Sequence, residues 1–194
     1  MKVCRADSYI VMPWKNGGGS TTEIAVSPAG ASLDAFDWRV SMARIERDGP
    51  FSSFPGIDRT LTLLDGPRVQ LRIDGRALQV LTPSAPTLAF AGENRVEAAV
   101  PDGPITDFNV MTRRASCRHR FEQVQLTGEK PLTLRGTQTL FFLAEGGALR
   151  CRHDDGEPIL LGRRDCLILG PADPADWRLE TNGAATMFQI AIDR

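Results

Sequence analysis

No window of a dozen residues in this chain keeps apolar side chains at i, i+3, i+4 and i+7, and that absence constrains the fold more than any motif does. In place of helical periodicity there are short runs in which apolar and polar residues alternate, the mark of strands with one buried face. Such runs fall at 22–26, 38–45, 59–64, 68–73, 78–81, 95–100, 105–112, 138–144, 148–152 and 186–192. The 18 glycines and 13 prolines punctuate the spaces between them. Only a short turn at 29–35 reads as helical. A chain patterned this way is all-β and packs its sheets as a sandwich or barrel, and 42% hydrophobic residues in 194 suffice to fill the core.

Internal repetition sharpens this reading. TLTLLDGPRVQLRIDG, from Thr60, lies over TLFFLAEGGALRCRHDDG, from Thr139, each reading as strand, glycine turn, strand and aspartate-glycine turn. Downstream, LAFAG at Leu88 lies over LILGP at Leu167. DFNVMTR at Asp107 lies over MFQIAID at Met187, matching Phe108 with Phe188 and Asn109 with Gln189. Any two β-rich segments align loosely, but three matches in one order indicate a duplicated unit. The expected division is 1–115 and 116–194. The second copy of the last block has lost its arginine and most of its polarity, so function is expected in the first unit and a structural role in the second.

Charge and hydropathy narrow the partners. With 23 Lys and Arg against 24 Asp and Glu, the net charge is −1 and offers no field to attract nucleic acid or an anionic membrane. The opening MKVCRADSYIVMPWKNGGG lacks a long apolar stretch, and runs such as LFFLA are too short to span a bilayer. A cytoplasmic protein with no membrane or nucleic-acid partner is expected, and the sequence specifies no protein partner. Cys4, Cys117, Cys151 and Cys166 form no CxxC pair and read as reduced, structural thiols.

Catalytic motifs are scarce. His119 and His153 stand in no HxH or HxxxH arrangement, so they read as surface histidines rather than metal ligands. No GxSxG elbow is present. Lys15, Asn16, Gly17, Gly18, Gly19, Ser20 and Thr21 have the composition of a phosphate loop in the wrong order, because a Walker loop places its lysine after the glycines and before a helix. Here TTEIAV follows, so the glycines read as a tight entry into a strand, with Lys15 near a pocket mouth. No metal and no cofactor are expected.

Strand alternation gathers a different set of groups. In 105–113, Asp107, Asn109, Met111 and Arg113 share one face; in the strand from Trp38, Arg39 and Ser41 share one; Arg59 begins the next strand. If these strands are neighbours in a barrel, three arginines converge on its interior, where guanidinium groups bind a carboxylate through paired, charge-assisted hydrogen bonds. The alternative is that Arg39, Arg59 and Arg113 pair with Glu23, Asp58 and Asp107 on solvated faces.

MPWKNGGGSTTEIAVSP, followed by FDWRVSMARIERDGPFSSFPGIDRTLTLLDG and then by DFNVMTRR, resembles the HutD/Ves family, and FFLAEG and GRRDCLILG in the second unit are similar to family sequence as well. The resemblance implies a bicupin of the RmlC-like superfamily, two cupin-type, jelly-roll-like β-barrel units packed in one compact chain. The family's motif positions fall on Trp14, Lys15, Asn16, Gly17, Gly18, Gly19 and Glu23. They continue on Trp38, Arg39, Ser41, Phe51, Phe54, Pro55, Gly56, Asp58 and Arg59, and end on Asp107, Asn109, Met111 and Arg113. Many cupins hold a metal through histidines near the first glycine-rich motif, but FSSFPGIDRTLTLLDG contains none, which disfavours a metal-dependent dioxygenase. The family is associated with histidine utilisation, with a suggested non-catalytic role in sensing or buffering an intermediate such as N-formylglutamate, or is described as stress-related.

The leading expectation is a small-molecule binding protein whose first barrel takes an anionic carboxylate metabolite. Its ligand-binding residues are expected among Lys15, Asn16, Glu23, Arg39, Ser41, Arg59, Asp107, Asn109, Met111 and Arg113, with Arg59 and Arg113 on the carboxylate, Asn109 reading a carbonyl or amide and Lys15 at the rim. One alternative is a metal-independent cupin isomerase or lyase using Glu23 or Asp107 as base, although nearby arginines oppose the raised pKa such a base needs. Another is a protein-interaction scaffold with both barrels filled by side chains.

Overall fold

A computed structural model of the chain describes residues 1–154 and 156–194. The strands in its first part are β1 (Lys2–Cys4), β2 (Ile10–Pro13), β3 (Gly19–Ser27), β4 (Trp38–Ile45), β5 (Gly49–Pro50) and β6 (Ile57–Asp65). Next come β7 (Val69–Ile73), β8 (Leu78–Leu81), β9 (Thr87–Ala91), β10 (Val96–Ala99) and β11 (Ile105–Arg113). After them come β12 (Arg118–Thr133), β13 (Gln138–Glu145), β14 (Leu149–Arg152), β15 (Ile159–Leu161), β16 (Cys166–Leu169) and β17 (Asp176–Asp193). Among the described residues the one helical segment is a 3-10 turn at Ala6–Ser8. Residues 29–35 are not helical: two tight turns, closed by Ala31 N–H to Pro28 O and Ala35 N–H to Ser32 O, replace the expected helix. A seven-residue stretch has no room to repeat a helical period, and the segment closes into turns instead.

The chain divides into two units, Ile10–Cys117 and a discontinuous one formed by Met1–Tyr9 with Arg118–Arg194. In the first, a six-stranded sheet in the order β2-β3-β4-β11-β6-β9 faces a four-stranded sheet in the order β5-β10-β7-β8. Ile45, Leu61, Leu63 and Ile105 from the larger sheet pack against Val69, Leu71, Val96 and Ala98 from the smaller. This core fills one end of the sandwich.

In the second unit, seven strands form one sheet, β1-β16-β13-β17-β14-β15 with β12 also on β17. The 18-residue β17 pairs with β14 through its first half and with β13 through its second, so the sheet curls around Phe141, Leu143, Leu149, Leu167, Trp177 and Met187, all fully buried or nearly so. Residues 1–9, expected in the first unit, belong to the second. There β1 pairs with β16, Lys2 opposite Ile168 and Cys4 opposite Cys166, while Asp165 accepts from Arg5 Nη1 at 2.7 Å and from Ala6 N–H at 2.8 Å. A three-residue strand is too short to show a period. All four cysteines are buried free thiols.

The repeat seen in the sequence has a counterpart in strand pairing. In the first unit β6 lies between β9 and β11, and in the second β13 lies between β16 and β17. Asn109 stands opposite Leu61, and its match Gln189 stands opposite Phe141, so the equivalent strands align one residue away from the register that the sequence suggests. TLTLLDG from Thr60 matches LFFLAEG from Leu140 without a gap.

The WKNGGG segment is the β2–β3 turn. Gly17 has φ +66°, Asn16 Oδ1 accepts from Gly18 N–H at 3.0 Å, and a Cβ at Gly19 would overlap the Arg44 carbonyl oxygen and press on the Trp14 ring. Gly19→Ala is therefore expected to cost about 1–3 kcal/mol in denaturant unfolding, as overpacked sites do. Gly49→Ala, where a Cβ meets nothing within 4 Å, should leave stability within about 0.5 kcal/mol.

Candidate functional site

The inner face of the six-stranded sheet is set by strand alternation and by register. Arg39 of β4, Met111 of β11 and Arg59 of β6 lie in one cross-strand row, and Ser41 and Asn109 in the next, with Glu23 of β3 beside Ser41. Ala43, Asp107 and Leu63 form the third row, with Thr21 beside Ala43. Towards Leu63 the face is covered by the core; towards Arg59 it is not, and a cavity of about 890 Å³ opens. Its walls include these rows, the β2–β3 turn with Trp14, Lys15 and Asn16, the Gly30–Leu33 segment, and Phe51 and Phe54.

Nine of the ten residues expected from sequence line this space: Lys15, Asn16, Glu23, Arg39, Ser41, Arg59, Asp107, Asn109 and Met111. Arg113 does not. Its Nε donates to Phe36 O at 2.9 Å and its Nη2 to Asp34 O at 2.8 Å, with the guanidinium over the Phe36 ring. Strand parity puts Arg113 on the right face, but at the end of β11 a long side chain reaches the nearest carbonyls, and it braces the loop that carries Gly30–Leu33. Asn109 is also occupied differently from the expectation, since both ends of its amide are engaged by protein. Of the surface pairings considered from sequence, Arg39 does pair with Glu23, in the cavity wall rather than on a solvated face, while Asp58 pairs with Arg114 at 2.8 Å.

Arg59 is the centre of the site. It is only 7% exposed, and its guanidinium carbon lies 5.4, 5.7 and 5.0 Å from the ring centres of Phe51, Phe54 and Phe90. Nη2 donates to Asn109 Oδ1 at 2.8 Å, and Asn109 Nδ2 donates to Asp107 Oδ1 at 2.5 Å. Nε is buried with no hydrogen-bond partner among the described residues. Burial lowers its pKa to about 10, with Asp107 opposing and Arg39 adding to that effect, so it remains a cation at neutral pH. The phenylalanine cage was not foreseen as part of the site; Phe51 and Phe54 were visible as motif positions, but nothing in the sequence links Phe90 to them.

Asp107 is 1% exposed, and burial raises its pKa from 3.8 to about 7 against the opposing pulls of Arg59, the Ala43 backbone and Asn109. Arg59 opposes the rise, as the sequence argument holds, but desolvation outweighs it. Glu23 Oε2 accepts from Arg39 Nε at 2.8 Å, with the Glu23 side chain 27% exposed and that of Arg39 7%. Trp14 Nε1 donates to Thr21 Oγ1 at 2.8 Å, fixing the indole in the wall. Neither histidine belongs to this unit, and among the described residues no group of three or more His, Cys, Asp or Glu side chains is placed to hold a metal. Among the described residues no helix is long and apolar enough to cross a membrane.

The architecture is that of a cupin. A cupin 2 conserved barrel domain protein from Leptotrichia buccalis superposes with a TM-score of 0.58 at 10% identity, covering 89% of this chain and 88% of that one, a likeness of fold alone. The HutD family model matches residues 6–188, and the chain belongs to that family. It is 37% identical over 190 residues to an uncharacterised 21.2 kDa protein in the hutC 3′ region of Pseudomonas putida, covering 98% of this chain and 97% of that protein. It is 44% identical to protein Ves of Cronobacter sakazakii over 106 residues, 54% of this chain and 56% of that protein. HutD from Pseudomonas fluorescens SBW25, solved in a formate condition, superposes with a TM-score of 0.80 at 32% identity, covering 100% of this chain and 99% of that one.

The shifted Asp107 makes stability depend on pH. Its folded pKa lies above its unfolded value, so the folded state holds the extra proton between about pH 4 and 7, and stability falls as pH rises through that window. Asp107→Asn removes this proton. The melting temperature of the variant relative to the native chain is expected to climb from pH 4 to 7 and level off above, as differential scanning calorimetry would show.

Proposed function

We propose that this protein is a cytoplasmic small-molecule binding protein whose first barrel takes a small organic carboxylate, sensing or buffering it without turnover. The observation that carries the reading is Arg59, a buried cation held through Nη2 by Asn109 in the wall of a cavity of about 890 Å³. Holding a guanidinium out of water costs on the order of several kcal/mol unless its donors are met, and a carboxylate meets them. Lys15 adds positive charge nearby, that of Arg39 being offset by Glu23, and the phenylalanines give an apolar wall for a carbon chain. Asn109 serves by fixing Arg59. The scaffold alternative calls for a first barrel filled by side chains, which the cavity does not match.

Membership of the HutD family and the hutC-region relative favour a metabolite of histidine breakdown, and N-formylglutamate, with two carboxylates and a formamide, suits a cavity of this polarity. Asp107 favours a second reading, a metal-independent isomerase or lyase, because a carboxyl titrating near 7 suits a general base. Its 1% exposure and its bond to Asn109 weigh against contact with a substrate carbon.

Thermal unfolding with millimolar N-formylglutamate, urocanate, glutamate or formate tests the binding reading. A ligand present at 100 times its Kd adds about 2.7 kcal/mol, which raises Tm by several degrees in a chain of this size. The expected result is stabilisation by one of them that is lost in Arg59→Ala and reduced in Arg59→Lys. Equal stabilisation of the native chain and Arg59→Ala would refute the assignment.

A further inference from the structure

An anion site that keeps a carboxylate in its own wall works against itself unless that carboxylate is needed. Glu23 is such a group. Satisfying Arg39 Nε does not by itself require a charge, since a glutamine would accept the same hydrogen bond without repelling an incoming anion. The pair uses only Oε2 of Glu23; among the described residues Oε1 has no partner, and neither do the two terminal nitrogens of Arg39. Both residues line the cavity, and Glu23 is the more exposed member.

The other acceptors in the wall are largely spent. Asn16 Oδ1 takes the Gly18 N–H, Thr21 Oγ1 takes the Trp14 indole, and Asn109 Oδ1 takes Arg59. Asp107, the other carboxyl in the wall, is 1% exposed and bonded to Asn109 and to the Ala43 backbone, so Glu23 Oε1 is the more open carboxylate oxygen left to a bound molecule, and an ionised carboxylate can only accept. What lies against it must carry a hydrogen to donate. Beside it, the free Arg39 nitrogens offer donors to an oxygen on the same molecule.

We infer that Glu23 is the specificity-determining residue of the cavity, reading an N–H on the ligand, so that the site takes nitrogen-bearing carboxylates, ammonium or amide, in preference to simple carboxylic acids of the same length. This rests on the carboxylate reading above. The acceptor and donor of the Glu23–Arg39 pair face one end of the molecule, and Arg59 takes a carboxylate at the other.

The probes are three five-carbon diacids that differ only at nitrogen: glutarate, glutamate and N-formylglutamate, titrated calorimetrically into the native chain, Glu23→Gln and Glu23→Asp. The native chain is expected to prefer a nitrogen-bearing probe over glutarate by about ten- to hundredfold, the worth of one hydrogen bond to a charged group. In Glu23→Gln that ratio should collapse towards unity while glutarate binds as well or better, since a repelling charge is gone. Glu23→Asp keeps the charge beside Arg39 but withdraws it from the ligand, and the ratio should fall there too. If both variants weaken all probes by one common factor, Glu23 merely positions Arg39 and the inference fails. If the native chain binds the three equally, the carboxylate reading stands and the inference fails; if it binds none, both fail.

Discussion

The first unit is organised around the buried guanidinium of Arg59. A guanidinium removed from water is unfavourable by several kcal/mol, and the surrounding structure offsets this in three ways: rings contributing about 0.5–2 kcal/mol each where they face the cation, the Asn109 carbonyl, and behind it the Asp107 carboxyl. Each of these requires a particular strand register. Asn109 sits opposite Leu61, two residues along from Arg59, and Arg59 sits opposite Met111 on one side and Phe90 on the other. A slip of one residue would turn every one of these groups to the opposite face.

The second unit shows what the same strand plan does without that charge. By the pairing register, Leu61 corresponds to Phe141 and Asp107 to Met187, and where Ala43 stands opposite Asp107, Val124 stands opposite Met187. Larger and less polar side chains close the space that the first unit leaves open, and Phe141, Met187 and Leu143 are fully buried. The difference between a container and a solid core here comes down to a few side-chain volumes on equivalent strands.

Much of this was legible from period-two alternation. β4 and β8 have the expected limits, and the polar face of β11 was apparent because Asp107, Asn109 and Met111 alternate with apolar residues. β12 was not, because RHRFEQVQLTGEKPLT is polar on both faces over most of its length and includes a glycine at a bulge. Arg113 shows the limit of parity: alternation fixes which way a residue leaves the sheet, not which carbonyl a long side chain finds. The Phe51, Phe54 and Phe90 cage comes from segments whose proximity only the folded sheet creates, and the Asp107 shift depends on burial, which no neighbour in sequence announces.

The discontinuity of the second unit bears on how the protein is made. Lys2, Val3 and Cys4 are synthesised before every strand of Ile10–Cys117, yet the strand they pair with, β16, follows all of them. The residues that line the cavity lie in one contiguous stretch between them, with all of their strand partners inside Ile10–Cys117. Vectorial synthesis thus allows the binding chamber to close while the opening segment still waits, unpaired, for the sheet that will claim it.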